Sequence, residues 1–93
     1  MPRITRQYPG KSAAEIYERV DVVMAHVAEK LSLDYRKDGR ARSGKVSRMG
    51  ISGTYQVRDG EVVVDLRFPM LVPGSMRQKV EDDIQRRLDG LFA

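Results

Sequence analysis

The sequence predicts an α+β fold in a single domain, with the element order β-α-β-β-β-α and both helices packed on one face of an antiparallel sheet. Three observations predict it. Residues 50–68 alternate as two strands around a turn, a capped amphipathic helix precedes them at 13–31, and a second apolar seam follows at 76–91. A chain of 93 residues has room for one hydrophobic core, so we expect the domain to span residues 1–93.

The turn at Asp59-Gly60 sets the register of the two central strands. Asp-Gly favours a two-residue type I′ turn, in which both central residues need φ above zero. Counting outward places these pairs on one, mainly apolar face: Val57–Val62, Tyr55–Val64, Gly53–Leu66 and Ile51–Phe68. The pairs of the other face are mostly polar: Arg58–Glu61, Gln56–Val63, Thr54–Asp65 and Ser52–Arg67. We expect the apolar face to carry the helices.

The first helix is marked by its cap and its apolar stripe. Ser12-Ala13-Ala14-Glu15 matches a capping box, which predicts a helix from Ala13 to about Leu31. The stripe has helical spacing and consists of Ile16, Val20, Val23, Val27 and Leu31. Residues 3–8, which precede the helix, are expected to form an edge strand that Pro9-Gly10 ends.

The segment between the first helix and the Asp59-Gly60 turn predicts a short strand at 33–37 and one long return strand. Val46 has the opposite parity to the inward residues after Gly50, so we expect a bulge or bend at Met49-Gly50. The last helix should begin after Pro73-Gly74 with Ser75 as its N-cap. Its apolar seam comprises Met76, Val80, Ile84, Leu88 and Leu91.

The net charge of +4 arises from one segment. Residues 36–48 hold six basic residues against Asp38 alone, a local charge of +5, whereas the remainder holds 11 basic and 12 acidic residues. The six residues predicted to bind an anionic surface are Arg36, Lys37, Arg40, Arg42, Lys45 and Arg48. The alternative without a binding function is a solvent-exposed hairpin whose charges, at the edge of the sheet, oppose aggregation.

Nucleic-acid binding through these basic residues is the alternative function. The α-β-β-β-α core has the element order of a double-stranded-RNA-binding domain. Such domains typically carry Lys-Lys-x-Ala-Lys at the start of the last helix, and this chain has Ser75-Met76-Arg77-Gln78-Lys79 there. The match therefore fails at the position that contacts RNA.

A second candidate surface is the apolar segment that follows the central strands. It includes Phe68, Met70, Leu71 and Val72. Such a segment either fills the gap between sheet and last helix or remains exposed as a contact for a partner, a second protomer or a hydrophobic surface. The chain could also form a homodimer through its polar sheet face or an edge strand.

The residues that carry catalysis in most enzymes are scarce. The chain has no cysteine, and His26 is its only histidine, on the polar arc of the first helix. We therefore expect no catalytic residues, no metal, no cofactor and a non-enzymatic role. No apolar run approaches the ~18 residues that cross a bilayer, and no secretory signal begins the chain, so we expect a cytoplasmic location.

The chain resembles the polyhydroxyalkanoic acid system family, which bacteria encode in granule-associated gene regions. The resemblance covers residues 3–92 and rests on the order and spacing of short motifs. The motifs are Leu33-Asp34-Tyr35-Arg36, Gly50-Ile51-Ser52-Gly53-Thr54, Asp59-Gly60-Glu61-Val62 and, in the last helix, Val80-Glu81, Ile84 and Leu88-Asp89. Relatives often have a histidine where this chain has Tyr8, and a tryptophan with an acid near Lys37-Asp38-Gly39-Arg40. No role is carried over to those positions.

The resemblance implies an accessory protein of polyhydroxyalkanoate storage granules. Its partners would be the granule surface or granule-associated proteins. Contact would run through Phe68, Met70, Leu71 and Val72, supported by the basic hairpin against acidic partners or an anionic coat.

Overall fold

Two helices cover one face of a five-stranded antiparallel sheet in the computed structural model, which describes residues 3–92. The elements are β1 (Arg3–Gln7), α1 (Ala13–Leu31), β2 (Asp34–Asp38), β3 (Ser43–Arg48), β4 (Ile51–Arg58), β5 (Glu61–Arg67) and α2 (Gly74–Asp89). The strand order is β1-β5-β4-β3-β2, so β1 lies at an edge. The α+β class, the antiparallel sheet and the edge position of β1 are confirmed.

The element order has one strand more than the sequence predicted. The expected long, bent strand is two strands, β3 and β4, which pair as a hairpin with Arg48 opposite Ile51. Met49 and Gly50 form the two-residue turn with φ of 52° and 87°, so both central residues have the positive φ of a type I′ turn. The expected bulge is therefore a full reversal, which also explains the change of parity after Val46.

The register of the β4–β5 hairpin is confirmed, but its turn type is not. Val57 lies opposite Val62 and Arg58 opposite Glu61. Only Gly60 of the two turn residues has a positive φ, at 76°, so the turn is not type I′. Asp59 instead turns its carboxylate to the first residue of α1, where Oδ1 accepts a hydrogen bond from the Ala13 amide at 2.7 Å. This bond joins the turn to the start of α1.

Helix α1 supplies most of the helical side of the core. The Glu15 amide donates to Oγ of Ser12 at 3.2 Å, which confirms the predicted cap. The fully buried side chains of α1 are Ile16, Val20 and Met24, which lies beside the predicted stripe, whereas Val23 of the stripe is half-buried. They pack against the inward residues of the sheet, which include Ile4, Val46, Tyr55, Val57, Val62, Val64 and Leu66.

Helix α2 packs on the hydrophobic core mainly through its second half. Ile84 and Leu88 are its buried residues, and neither lies in its first two turns. The helix begins at Gly74 after Pro73 with no side-chain cap, so the prediction that Ser75 is the N-cap was wrong. The first turns of α2 therefore lie beside the core rather than in it.

Candidate functional site

Three segments meet at one end of the molecule. Strand β4 begins and β5 ends there, so the Met49-Gly50 turn lies beside the chain that follows β5. The ring carbons of Pro69 lie 3.5 Å from the position that a Cβ on Gly50 would occupy. Helix α2 begins five residues later at the same end. A turn, a loop and a helix start thus lie together at this end.

This surface exposes large apolar side chains. Leu71 is 95% exposed, Met70 94%, Met49 86% and Met76, in the first turn of α2, 48%. We call these four residues the apolar tip. Burying them would remove apolar area from water, which is favourable at roughly 25 cal/mol per Å². The tip therefore has the composition of a binding surface.

The structure divides the predicted contact segment into two parts. Met70 and Leu71 are exposed, whereas Phe68 and Val72 are half-buried and Phe68 packs against the core. Phe68 therefore fills the gap between the sheet and α2. Met49 and Met76 join the tip instead, although the sequence analysis did not assign them to it.

Hydrogen bonds to backbone carbonyls hold the loop of the tip in place. The Val72 amide donates to the Pro69 carbonyl at 3.1 Å. Nη2 of Arg77, on α2, donates to the Pro69 and Met70 carbonyls at 3.4 Å each. These bonds present Met70 and Leu71 outward from a closed turn.

Basic side chains lie on the elements that end or begin near the apolar tip. Lys30 lies in the last turn of α1, Arg48 and Arg67 end β3 and β5, and Lys79 follows Met76 on α2, all exposed. Nη1 of Arg48 donates to the Ser32 carbonyl at 2.9 Å, which keeps this cation at the rim. An apolar centre with a basic rim suits an anionic surface that covers an apolar interior.

The six residues of the basic segment do not share one surface. Nζ of Lys37 lies 3.0 Å from Oδ2 of Asp21 on the helix side, and Arg48 lies at the tip rim. Arg36 and Lys45 are opposite each other on the open face of the sheet, away from the helices, beside a depression of about 450 Å³. Arg40 and Arg42 occupy the β2–β3 turn at the far end of the sheet. A role for these residues with anions or nucleic acid stays a prediction.

The polar sheet face is open, as its register implies. Thr54 and Gln56 are exposed on it, and Val63 and Asp65 are half-buried. Oδ1 of Asp65 accepts from Nε of Arg3 at 2.7 Å. Pairing of two copies through this face or through an edge strand stays a prediction.

A cluster of tyrosines links α1 to the sheet, and sequence reasoning missed it. The Tyr35 hydroxyl donates to Oδ1 of Asp21 at 2.7 Å and lies 2.6 Å from the Tyr55 hydroxyl. Tyr17 packs near Tyr55, with ring centroids 6.3 Å apart. The sequence did contain one signal for this cluster: Asp21 lies four residues after Tyr17 and therefore on the same side of α1.

The surroundings of Tyr35 and Tyr55 keep their hydroxyl groups protonated. Burial raises the pKa of Tyr55 to about 12. Burial, together with hydrogen bonds to Tyr55 and Asp21, raises the pKa of Tyr35 far above its usual value. A phenol that resists ionisation is a poor base near neutral pH. The cluster therefore has the character of a structural joint between α1 and β2.

The other polar residues considered above form no such arrangement. His26 is exposed on the outer side of α1. Within residues 3–92, no three or more His, Cys, Asp or Glu side chains come together in a group that could hold a metal ion. Neither helix of this part of the chain is both long enough and apolar enough to span a membrane.

Comparison with known proteins shows the family. The family model described as "Putative polyhydroxyalkanoic acid system protein" matches residues 3–92, nearly the whole chain. A search of curated proteins finds no match. The chain therefore belongs to the polyhydroxyalkanoic acid system protein family.

Proposed function

We propose that this protein is a non-enzymatic accessory protein that attaches to the surface of polyhydroxyalkanoate granules through its apolar tip. The family description supports the link to polyhydroxyalkanoate. The observation that carries attachment is the nearly complete exposure of Met70 and Leu71, at 94% and 95%, on a loop held by hydrogen bonds. An apolar granule surface would bury both side chains.

The residue at position 49 supports the same role. Met49 has a φ of 52°, a region that costs a residue other than glycine roughly 1–2 kcal/mol. Asparagine would suit this turn position better, because Asn-Gly is the favoured type I′ dipeptide. Met49 is also 86% exposed, so it contributes little to the core. A methionine here fits a contact with an apolar surface better than it fits the turn.

The exposure and charge of the tip favour a surface over a groove on a partner protein. Met49, Met70 and Leu71 of the tip are at least 86% exposed, and methionines are flexible side chains that adapt to irregular apolar surfaces. Lys30, Arg48, Arg67 and Lys79 would lie at the level of an anionic coat while the tip reached below it. Attachment should therefore combine apolar burial with an electrostatic attraction that salt weakens.

Co-sedimentation with isolated granules tests the proposal. We expect the purified chain to sediment with granules and the Met70→Ser/Leu71→Ser variant to remain largely in the supernatant. The matched control is Val22→Ser, because Val22 is 68% exposed on α1, away from the tip. That variant should sediment like the unaltered chain.

Two outcomes would contradict the proposal. Equal sedimentation of the tip variant and the unaltered chain would remove the tip from the contact. Loss of sedimentation after protease treatment of the granules would point to a coat protein as the partner instead. Raising the salt concentration should weaken, but not abolish, sedimentation of the unaltered chain.

A further inference from the structure

A groove between the two helices leads away from the apolar tip. It has a volume of about 200 Å³ and is lined by Val27 and Leu31 of α1 and by Met76 and Val80 of α2. Leu31 and Val80 are only half-buried, and Met76 is 48% exposed. The two helices therefore lie side by side without fully burying the apolar side chains between them.

The core beneath this groove is nearly closed. A void of about 10 Å³ lies between Val27, Leu31 and Val80 on the helix side and Leu66 and Phe68 on the sheet side. A void of this size is at the lower limit for holding one water molecule. The first two turns of α2 contribute no buried residue that would fill the space. The floor of the groove is thus closed to within about one water-sized space, and a ligand would lie in the groove above it.

The sides of the groove carry positive charge. Lys30 and Lys79 line it, one from each helix. Asp83, which also lines it, is engaged by arginines, with Oδ2 lying 3.1 Å from Nε of Arg87 and Oδ1 3.8 Å from Nη2 of Arg86. Among the residues that the structure describes, neither lysine has an ion-pair partner within 4 Å. Burial opposes the shift, but Arg87, Lys30 and Arg86 together lower the pKa of Asp83, so the charge of Lys30 is shared with that carboxylate. The groove keeps a net positive charge from its two lysines and one aspartate.

We infer that the groove binds the acyl chain of a free medium-chain carboxylic acid, with the carboxylate between Lys30 and Lys79. Its apolar lining matches an alkyl chain, and its two ammonium groups match one carboxylate. A volume of 200 Å³ holds roughly six or seven groups the size of a water molecule or a methylene. This site shares Met76 with the tip, but it does not depend on granule attachment.

NMR titration of the methyl-labelled full chain with octanoate tests this site. We expect saturable shifts of the methyl signals of Val27, Leu31, Met76 and Val80. Octanol, which has the same alkyl length without the charge, should bind more weakly. The Lys30→Gln/Lys79→Gln variant should bind octanoate roughly fivefold more weakly, the effect expected when two solvent-exposed ion pairs are removed. Its octanol affinity should not change.

The outcomes separate this site from the tip. Val80→Phe should fill the groove and abolish octanoate binding, and its spectrum reports whether it has folded. The lysine variant is an independent test of the site, because both lysines are exposed and their replacement leaves the core unchanged. No saturable shift, shifts confined to Met70 and Leu71, or a response to anionic phospholipid vesicles but not to octanoate would each overturn the inference. Met70→Ser/Leu71→Ser should bind octanoate normally, whatever its behaviour with granules.

Discussion

The hydroxyl groups of Tyr35 and Tyr55 lie 2.6 Å apart, and that of Tyr35 also lies 2.7 Å from Oδ1 of Asp21. A carboxylate only accepts, so Tyr35 donates its single proton to Asp21 and Tyr55 donates to Tyr35. The result is a directional chain of hydrogen bonds from β4 through β2 to α1. It fixes edge strand β2 to the helix layer.

Replacing the middle member should loosen this link. Tyr35→Phe leaves the Tyr55 hydroxyl without its acceptor and leaves Asp21 with Lys37 as its remaining partner. We expect it to lower the free energy of unfolding by about 1–2 kcal/mol in urea denaturation. Lys37→Gln removes the exposed contact to Asp21 and should have a smaller effect. A loss for Tyr35→Phe below about 0.5 kcal/mol, as ordinary surface changes give, would contradict the role of the cluster.

Buried phenols should make the fold sensitive to alkali. Burial raises the pKa of both Tyr8 and Tyr55 to about 12, from 10.0. The folded state then keeps protons that the unfolded state releases, so the stabilisation is complete below pH 10 and is lost as the pH rises towards 12. We expect the melting temperature, measured by circular dichroism, to fall across this window. The fall should be shallower in Tyr8→Phe, and an unchanged slope would contradict the assignment.

A glycine is required where β3 passes the ring of Tyr55. A Cβ on Gly44 would meet Cε1 of Tyr55 at 2.5 Å and Cζ at 2.8 Å. Since this ring is buried, Gly44→Ala should cost about 1–3 kcal/mol of stability. The matched control is Gly74→Ala, because a Cβ there would meet nothing within 4 Å at the start of α2. Its stability should stay the same or rise, and equal losses for both variants would refute the steric explanation.

Position 49 should show opposite effects on folding and on binding. Met49→Asn gives the turn its favoured Asn-Gly dipeptide, and we expect it to raise the free energy of unfolding by roughly 0.5–1 kcal/mol. It also removes an exposed apolar side chain from the tip, so granule sedimentation should fall. A variant that is stabilised and still sediments fully would exclude Met49 from the contact.

The sequence predicted the fold wherever a local signal carried the answer. Asp59-Gly60 was sufficient for the β4–β5 register, and Ser12 for the start of α1. The turn at Met49-Gly50 was missed because methionine is not a turn residue, so the change of parity was interpreted as a bulge. Because this turn takes only two residues, β3 and β4 become separate paired strands and the sheet gains a strand.

The site was predictable only in part, because exposure depends on tertiary packing. Residues 68–72 form one apolar run in the sequence, yet Phe68 enters the core while Met70 and Leu71 leave it. Met49 reaches the tip through pairing of β3 with β4, which the sequence analysis treated as one strand. The basic segment was divided by the alternation of its strands, since neighbouring residues such as Arg36 and Lys37 face opposite sides.

The most direct measurement uses the lack of cysteine in the chain. A single cysteine introduced as Leu71→Cys, labelled with an environment-sensitive fluorophore, reports whether the tip enters an apolar medium. On addition of isolated granules, we predict a saturable blue shift of its emission and no shift for the same label at Val22→Cys on α1. No shift at position 71, or equal shifts at both positions, would contradict attachment through the apolar tip.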